Sequence, residues 1–594
     1  MQMASRLGLQ WGTQIAWTYG PYGYTDQAIY VYFRTWLLAA VVAVVVHVLY
    51  CGVLGLFLWQ AKIGIWGWAL AAVLLLLPLQ LSLEFFCFAT LILLLYLGLL
   101  VTRTSAAHLA FGVAGLLLAF LCLVRGTAIL SAPLLVVAVA VTSYSQRRPA
   151  LILTFIVAAV VTFLVLWGVA NQRLTGLPEY LRTSYELSSG YSSAMSLVPG
   201  SWGPLRHAYL IPGIGLVCAT VLIGLTATFR RDAPIAIIAC LALAVLFVGY
   251  KEGFVRAALT HETRFFTEAI LVQSPMLFLA VRRRARCEAA LAIVAVSAAG
   301  VLLVLSARAM GPGAPAALGI QNVPERLSTY PEAIRMVVDP AERQRITNED
   351  RANVRAATKV PDSIVAELRQ GTVDVVPAEL DIVYGYGLNW VPRPVLQSYS
   401  AYTDYLDGLD ASHFTGSTAP DYVLFQLGAI DGRYPLFEEP RATWALLHEY
   451  RVAEVSGTYV VLVRGRSQRH EPSAPMGEVT APLGAVVSVP NDAPDVRASI
   501  QLSYSPRGNI LNLLAAPGVV HVRFLYGDGN SSPEYRLVPN TAAHGAPVGW
   551  YVAETAALVK YVDGHPTGRI NGMVLTTDDP GDYSETYHVS FAGS

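Results

Sequence analysis

Charge is scarce in this chain, and acid is scarcest where the sequence is most apolar. Of its 594 residues only 14% are charged, against 54% hydrophobic, which excludes a disordered chain and a simple soluble enzyme. The first 178 residues hold two carboxylates, Asp26 and Glu84. Cysteine stops at Cys287; all six cysteines lie in or beside apolar runs, so neither a disulfide framework nor a zinc-ligand spacing is present. There is no Gly-rich loop ending in Lys-Ser/Thr, no Gly-x-Gly-x-x-Gly after a strand, no Gly-x-Ser-x-Gly and no His-Glu-x-x-His, which disfavours an ATP-driven pump and a nucleotide-sugar enzyme of the soluble kind. Heptads, internal repeats and low-complexity tracts are also missing.

What is present divides at Ser306. Before it stand 19 basic and 9 acidic residues, after it 22 and 32, giving halves of about +10 and −10. A membrane-embedded half with basic loops, followed by an acidic water-exposed half, is the simplest reading, and it argues against nucleic acid as a partner. Ten apolar runs are legible in the first half, at 37–59, 63–82, 85–102, 106–124, 127–142, 150–170, 208–229, 233–249, 265–281 and 289–306. Most have the roughly 20 residues that crossing the hydrocarbon requires; those at 127, 233 and 265 are shorter and fit a re-entrant segment as well. The linkers at Lys62, Arg103, Arg147/Arg148, Arg230/Arg231 and Arg282 to Arg286 alternate with linkers poor in positive charge, so the basic set is expected in the cytoplasm. Asp26, Glu84, Arg125, the loops 171–207 and 250–264, and everything after Ser306 then fall on the outer side. That parity leaves Met1 outside without a preceding helix, so either a further span precedes it or one short run does not cross.

After Ser306, residues 307–466 mix strands (372–376, 421–426), helices (404–414, 441–450) and a hairpin around Ser456-Gly457, the pattern of an α/β domain. Residues 465–475 read as a linker. From 476 to 594, short alternating runs separated by Gly, Pro, Asn and Asp turns read as a β-sandwich.

An acid in so apolar a region is costly unless it meets water or a partner, which makes Asp26 and Glu84 functional candidates; the bland alternative is that each caps a helix in the interface. Before Asp26, the segment Thr18-Tyr-Gly-Pro-Tyr-Gly-Tyr24 offers tight turns and the amphipathic rings of Tyr19, Tyr22 and Tyr24, suited to a sugar or lipid headgroup or simply to an interfacial aromatic belt. Arg125, Lys251, Arg256 and Arg264, with His261 among them, suit phosphate recognition, unless Glu252, Glu262 and Glu268 neutralise them locally. Loop 171–207, with Tyr191, suits carbohydrate contact or an amphipathic helix packed beneath the polar region. The ring-rich stretch 390–403 precedes Asp404, Asp407 and Asp410; Asp404 and Asp407 share a helical face at spacing three, more often a solvated face than a site.

Many spans, functional residues on outer loops, an acid near the first outer loop and a polar outer C-terminal region resemble the type C glycosyltransferases, which take sugar from a polyprenyl-phosphate carrier. Locally, residues 18–24, 188–195, 251–256 and 393–403 resemble segments of a bacterial integral membrane protein family with no assigned reaction. The first resemblance implies a type C polytopic helical domain followed by the α/β domain and a β-sandwich that resembles carbohydrate-binding modules. It also implies an acidic pair on the first outer loop, of which Asp26, followed here by Gln27, matches one member.

The expected function is thus an integral-membrane glycosyltransferase of the bacterial cytoplasmic membrane, acting on its outer face. It would move a sugar from a polyprenyl-phosphate carrier to an envelope glycan, lipid or protein. Asp26 would be the general base and Glu84 would orient the acceptor or the bases. Arg125, Lys251, Arg256 and Arg264 would hold phosphate, and Tyr19, Tyr22, Tyr24, Tyr191 and His261 would contact substrate. Neither a metal nor another cofactor is expected from protein ligands. The alternative is a non-catalytic membrane-anchored protein that binds glycan or assembles the envelope, and a lipid or polysaccharide transporter ranks third.

Overall fold

Stretches of about twenty apolar residues satisfy their own backbone hydrogen bonds as helices, the one open-ended structure stable in hydrocarbon. A computed structural model of the chain describes residues 1–26, 29–61, 74, 82–101, 103–145, 147–196, 203–256, 259–311, 331–465, 474–527 and 529–594. The first half forms α1 (Phe33–Ala61), α2 (Leu83–Leu100), α3 (Thr104–Val124), α4 (Ala132–Ser145), α5 (Ala150–Val169), α6 (Leu177–Ser189), α7 (Gly203–Phe229), α8 (Ala233–Val255), α9 (Leu259–Arg282) and α10 (Arg286–Ala309). Among the described residues seven helices, α1, α3, α5 and α7 to α10, are long and apolar enough to cross a membrane, and α2 and α4 are shorter apolar helices. The apolar run at 63–82 lies almost wholly outside the described residues, as do the linker at 466–473 and Trp202.

Polarity tracks position in the bundle. Of the seven, helix α9 is the least apolar and 83% of its most apolar 18-residue stretch is buried inside the protein, whereas α5 is the most apolar and only 17% of its stretch is buried. The outward faces therefore carry the apolar surface that lipid requires, and the interior carries the polar groups, such as Gln273, whose Nε2 donates to Thr220 Oγ1 across 3.0 Å. Helices α3 and α5 approach closely at Gly115, where an added Cβ would stand 2.4 Å from the Phe155 carbonyl oxygen. Backbone cannot yield as a side chain can, so Gly115→Ala is expected to cost about 1–3 kcal/mol by overpacking. An unchanged melting temperature in detergent would contradict that close approach.

Charges sort to the two ends of the helical unit. At one end Arg230 meets Glu288 at 3.1 Å and Arg283 meets Asp232 at 3.1 Å, joining the α7–α8 and α9–α10 turns. The opposite end, where α3 and α8 finish and α2 begins, holds Asp26, Glu84, Arg125 and Glu252.

The chain divides into two compact units, with the second built from Gln344–Ser594 together with Gln10–Trp17 and Pro178–Ser196. The first unit includes Leu197–Arg343, and two stretches of the N-terminal half fold with the C-terminal region. In this unit α6 is the amphipathic helix the loop reading anticipated. Arg182 lies over the Tyr405 ring at 3.8 Å, and Tyr405 Oη donates to Glu179 Oε2.

The C-terminal region is rich in β-sheet. Strands β1 (Thr372–Val376), β2 (Asn389–Trp390), β3 (Tyr422–Gln426), β4 (Tyr450–Ser456) and β5 (Tyr459–Arg464) form a mixed sheet ordered β2-β1-β3-β5-β4. Helices α11 (Asp404–Thr415) and α12 (Pro440–Glu449) occupy the connections before β3 and β4. Strands β6 (Ala474–Pro482), β7 (Val486–Ser488), β8 (Val496–Gln501), β9 (Val520–Tyr526), β10 (Asn530–Ser531), β11 (Tyr535–Leu537), β12 (Ala546–Pro547), β13 (Ile570–Thr577) and β14 (Thr586–Gly593) follow. They make two antiparallel sheets, β10-β9-β13-β7, in which β11 also pairs with β9, and β12-β8-β14-β6. Burial alternates along β8 and β14, and Val522, Phe524 and Leu575 of one sheet share a core with Ile500, Val589 and Phe591 of the other, as in a sandwich.

Candidate functional site

The N-terminal loop is laid along the end of α3 by backbone pairing. Gly20 N–H donates to Val124 O at 2.9 Å, Tyr22 N–H to Leu123 O at 3.0 Å, and Gly126 N–H to Thr18 O at 2.9 Å. This pairing brings Tyr19 beside Arg125, whose guanidinium carbon lies 5.9 Å from the ring centroid. It also carries Asp26 to the start of α2, where its Oδ1 accepts the Glu84 N–H at 2.9 Å. Unpaired N–H groups at a helix start favour a carboxylate there.

Arg125 ends α3 and reaches two acids. Its Nη1 donates to Glu84 Oε2 at 2.6 Å and stands 3.6 Å from Glu252 Oε2, while Glu252 Oε1 is 3.8 Å from Arg264 Nη1. A fourth acid, Glu268 of α9, packs against α8 where Gly249 leaves room: a Cβ there would lie 1.8 Å from Glu268 Oε2. That oxygen is buried and has no hydrogen-bond partner. Glu84, Glu252 and Glu268 line one enclosed cavity of about 10 Å³, room for a single water.

Burial raises the Asp26 carboxyl above its ordinary value, opposed by the Glu84 N–H and by the charge of Arg125. Burial likewise raises the hydroxyls of Tyr19 and Tyr24, the latter to about 12, so both remain neutral hydrogen-bonding groups at neutral pH.

Of the residues singled out from sequence, Tyr19, Asp26, Glu84, Arg125 and Arg264 are brought together with Glu252. Lys251 precedes Glu252 on the last turns of α8, which Arg256 terminates, and His261 Nδ1 lies 3.2 Å from the Arg256 carbonyl oxygen. Tyr22 and Tyr24 are buried as packing groups: Tyr22 Oη donates to Leu166 O at 2.9 Å and its ring meets Phe120. Tyr191 belongs to the second unit and packs with the core of Leu187, Ala194 and Tyr402. In the sequence Glu252 and Glu268 enter, with Glu262, only as the alternative to phosphate recognition, local neutralisers of the bases. The signal that marks Glu268 out is a carboxylate within an apolar helix, the same signal that marked Glu84.

An apolar groove of about 530 Å³ runs along α4 and α8, from Val141 and Ala236 to Ala244 and Phe247. Ala244 also lines the cavity under the three glutamates. Among the described residues no group of three or more His, Cys, Asp or Glu is arranged to hold a metal ion. No family model, curated protein or solved structure matches the chain.

Proposed function

We propose that the chain is an integral-membrane, type C-like glycosyltransferase. It moves a sugar from a polyprenyl-phosphate carrier to an envelope glycan, lipid or protein on the outer face of the bacterial cytoplasmic membrane. The observation that carries this reading is an apolar groove, suited to a lipid chain, that shares Ala244 with the cavity of Glu84, the carboxylate paired with Arg125 at the end of the helical unit where Arg264 also stands. In the reaction Asp26 takes the proton of the acceptor hydroxyl as its oxygen bonds to the anomeric carbon. The bond from that carbon to the carrier phosphate breaks, and the phosphate leaves with the electron pair, its charge met by Arg125 and Arg264.

The test is transfer from a radiolabelled polyprenyl-phosphate sugar by the purified chain. Asparagine at position 26 keeps a carbonyl oxygen to accept the Glu84 N–H, so Asp26→Asn is expected to fold and to lose about 10²- to 10⁴-fold in turnover. Because burial raises the Asp26 carboxyl, the acid limb of the wild-type rate should sit above the ordinary carboxylate range, with activity rising as pH increases through it. Full turnover in Asp26→Asn removes Asp26 from the mechanism.

The second reading is a non-catalytic, membrane-anchored protein that binds glycan or assembles the envelope. It is favoured by the size of the cavity, one water, and by the engagement of Asp26 at the start of α2. It requires saturable glycan binding without transfer by the purified chain.

A further inference from the structure

Helices α11 and α12 differ in what they turn toward each other. Along α11 the residues Gly408, Ala411, Ser412 and Thr415 recur at spacings of three and four, which places them on one face, and all are small. Along α12 the facing positions are Arg441, Trp444 and His448. Small side chains opposite large ones leave a gap, which Arg497 of β8 helps enclose, with a volume of about 380 Å³, the size of a small-ligand site.

The polar groups of this groove are asymmetric. Arg497 lies over the Trp444 ring at 4.6 Å, and among the described residues no carboxylate stands within ion-pair distance of it. Its neighbouring charge is Arg441, and burial followed by that like charge lowers the Arg497 guanidinium from its ordinary value. Arg441 pairs with Asp404 at 2.9 Å, but both side chains are exposed, 44% and 67%, and so weakly bound to each other. His448 is buried; its Nδ1 lies 2.8 Å from Trp444 O, and its Nε2, 3.7 Å from Asp495 Oδ2, makes no hydrogen bond. Toward α11 the character changes to acceptors. Ser412 Oγ donates to Gly408 O and Thr415 Oγ1 to Ala411 O, leaving the lone pairs of both hydroxyls for a ligand. Glu449 lines the groove as well and repels a second anionic end.

We propose that the groove between α11 and α12 binds an anionic sugar, with its carboxylate or phosphate between Arg441 and Arg497 and its hydroxyls donating to Ser412 and Thr415. Two like-charged guanidiniums facing one cavity are relieved by an oxyanion, which each can grip through paired N–H groups. The acceptor side requires a ligand that also carries hydroxyl donors. The site goes beyond the transfer reaction above and needs no turnover to be detected.

The experiment is calorimetric titration of the full chain in detergent with glucuronate, glucose 6-phosphate, glucose and inorganic phosphate. Both anionic sugars are expected to bind at least about tenfold more tightly than glucose or phosphate, a difference of one decade in Kd. The tighter of the two identifies whether the natural anion is a uronate or a phosphate. Arg497→Gln should weaken the preferred sugar at least about tenfold. Arg441→Gln, at the exposed end, provides a second variant if the first melts abnormally, and should weaken binding about fivefold or more, with higher salt weakening the wild type as well. Glucose binding as well as the acids, phosphate alone matching glucose 6-phosphate, or undiminished binding in a natively melting variant overturns the proposal.

Discussion

An Arg125→Gln variant is expected to lose about 3 kcal/mol of stability and essentially all transfer activity. Arg125 is the shared cation of Glu84, 4% exposed, and Glu252, 19% exposed. Taking one partner from a buried ion pair costs about 3–5 kcal/mol because the remaining charge is stranded. The side chain of Arg125 is itself 23% exposed, so water tempers the loss and the lower end applies. The double variant Arg125→Gln/Glu84→Gln separates stability from chemistry. With Glu84 neutralised as well, most of the melting temperature should return, while transfer should not, since the group proposed to meet the leaving phosphate is still missing. If the single variant melts within a degree of wild type in detergent, Arg125 is not the keystone of the cluster.

Some of this arrangement was legible in the sequence for a simple reason: rarity. Where two acids occur in 178 residues, each carries information, and Asp26 and Glu84 are hydrogen-bonded neighbours in space. The apolar runs were legible because helices in lipid need no amphipathic pattern, only length. The run at 127–142 illustrates the limit: its first residues form a 3-10 turn, Gly126–Leu130, before α4 begins, a change of helix type that hydropathy does not register. Side-chain direction was equally hidden. The tyrosines of 18–24 read alike, yet Tyr19 turns to Arg125 while Tyr22 and Tyr24 are buried in packing, because the backbone pairing of that loop with the end of α3 fixes the direction of each ring.

The acids of α11 show the same limit on the polar side. At spacing three Asp404 and Asp407 share a helical face, more often solvated than part of a site. Asp404 is exposed, but Asp407 is fully buried and accepts the Arg441 and Ala442 N–H groups at 3.0 Å each, capping α12. Spacing three leaves a 60° offset on a helix, enough to carry one residue into the core while the other stays in water. The family-like strings behave similarly. Residues 188–195 contain Ala194, whose carbonyl accepts from the buried Arg433 and Arg536 at 2.7 and 2.8 Å, and residues 393–403 begin with an arginine sealed from solvent. These are joints of the fold, and a sequence alone does not distinguish a joint from a binding loop.

That sealed arginine gives the second large effect, in which pH decides the size. Arg393 is completely buried among Asp374 at 3.2 Å, Asp410 at 3.5 Å and Glu439 at 3.8 Å, all essentially without exposure. One cation does not balance three anions. Burial, with the repulsion between the neighbouring acids, therefore drives the Asp410 and Glu439 carboxyls above their ordinary values. A carboxyl with a raised folded value binds a proton that the unfolded chain has released, so its contribution is full at low pH and declines as pH rises toward the folded value. Arg393→Met removes the one arginine paired with these three acids among the described residues and should cost about 3–5 kcal/mol at pH 8. The same change should cost much less near pH 5, because without the arginine the acids take up further protons and become neutral in place. The gap between variant and wild-type denaturation curves should therefore close as pH falls. A gap that stays constant from pH 8 to pH 5 would mean that the three carboxyls do not share the charge of Arg393, and that the loop from 389 to 400 is held by packing alone.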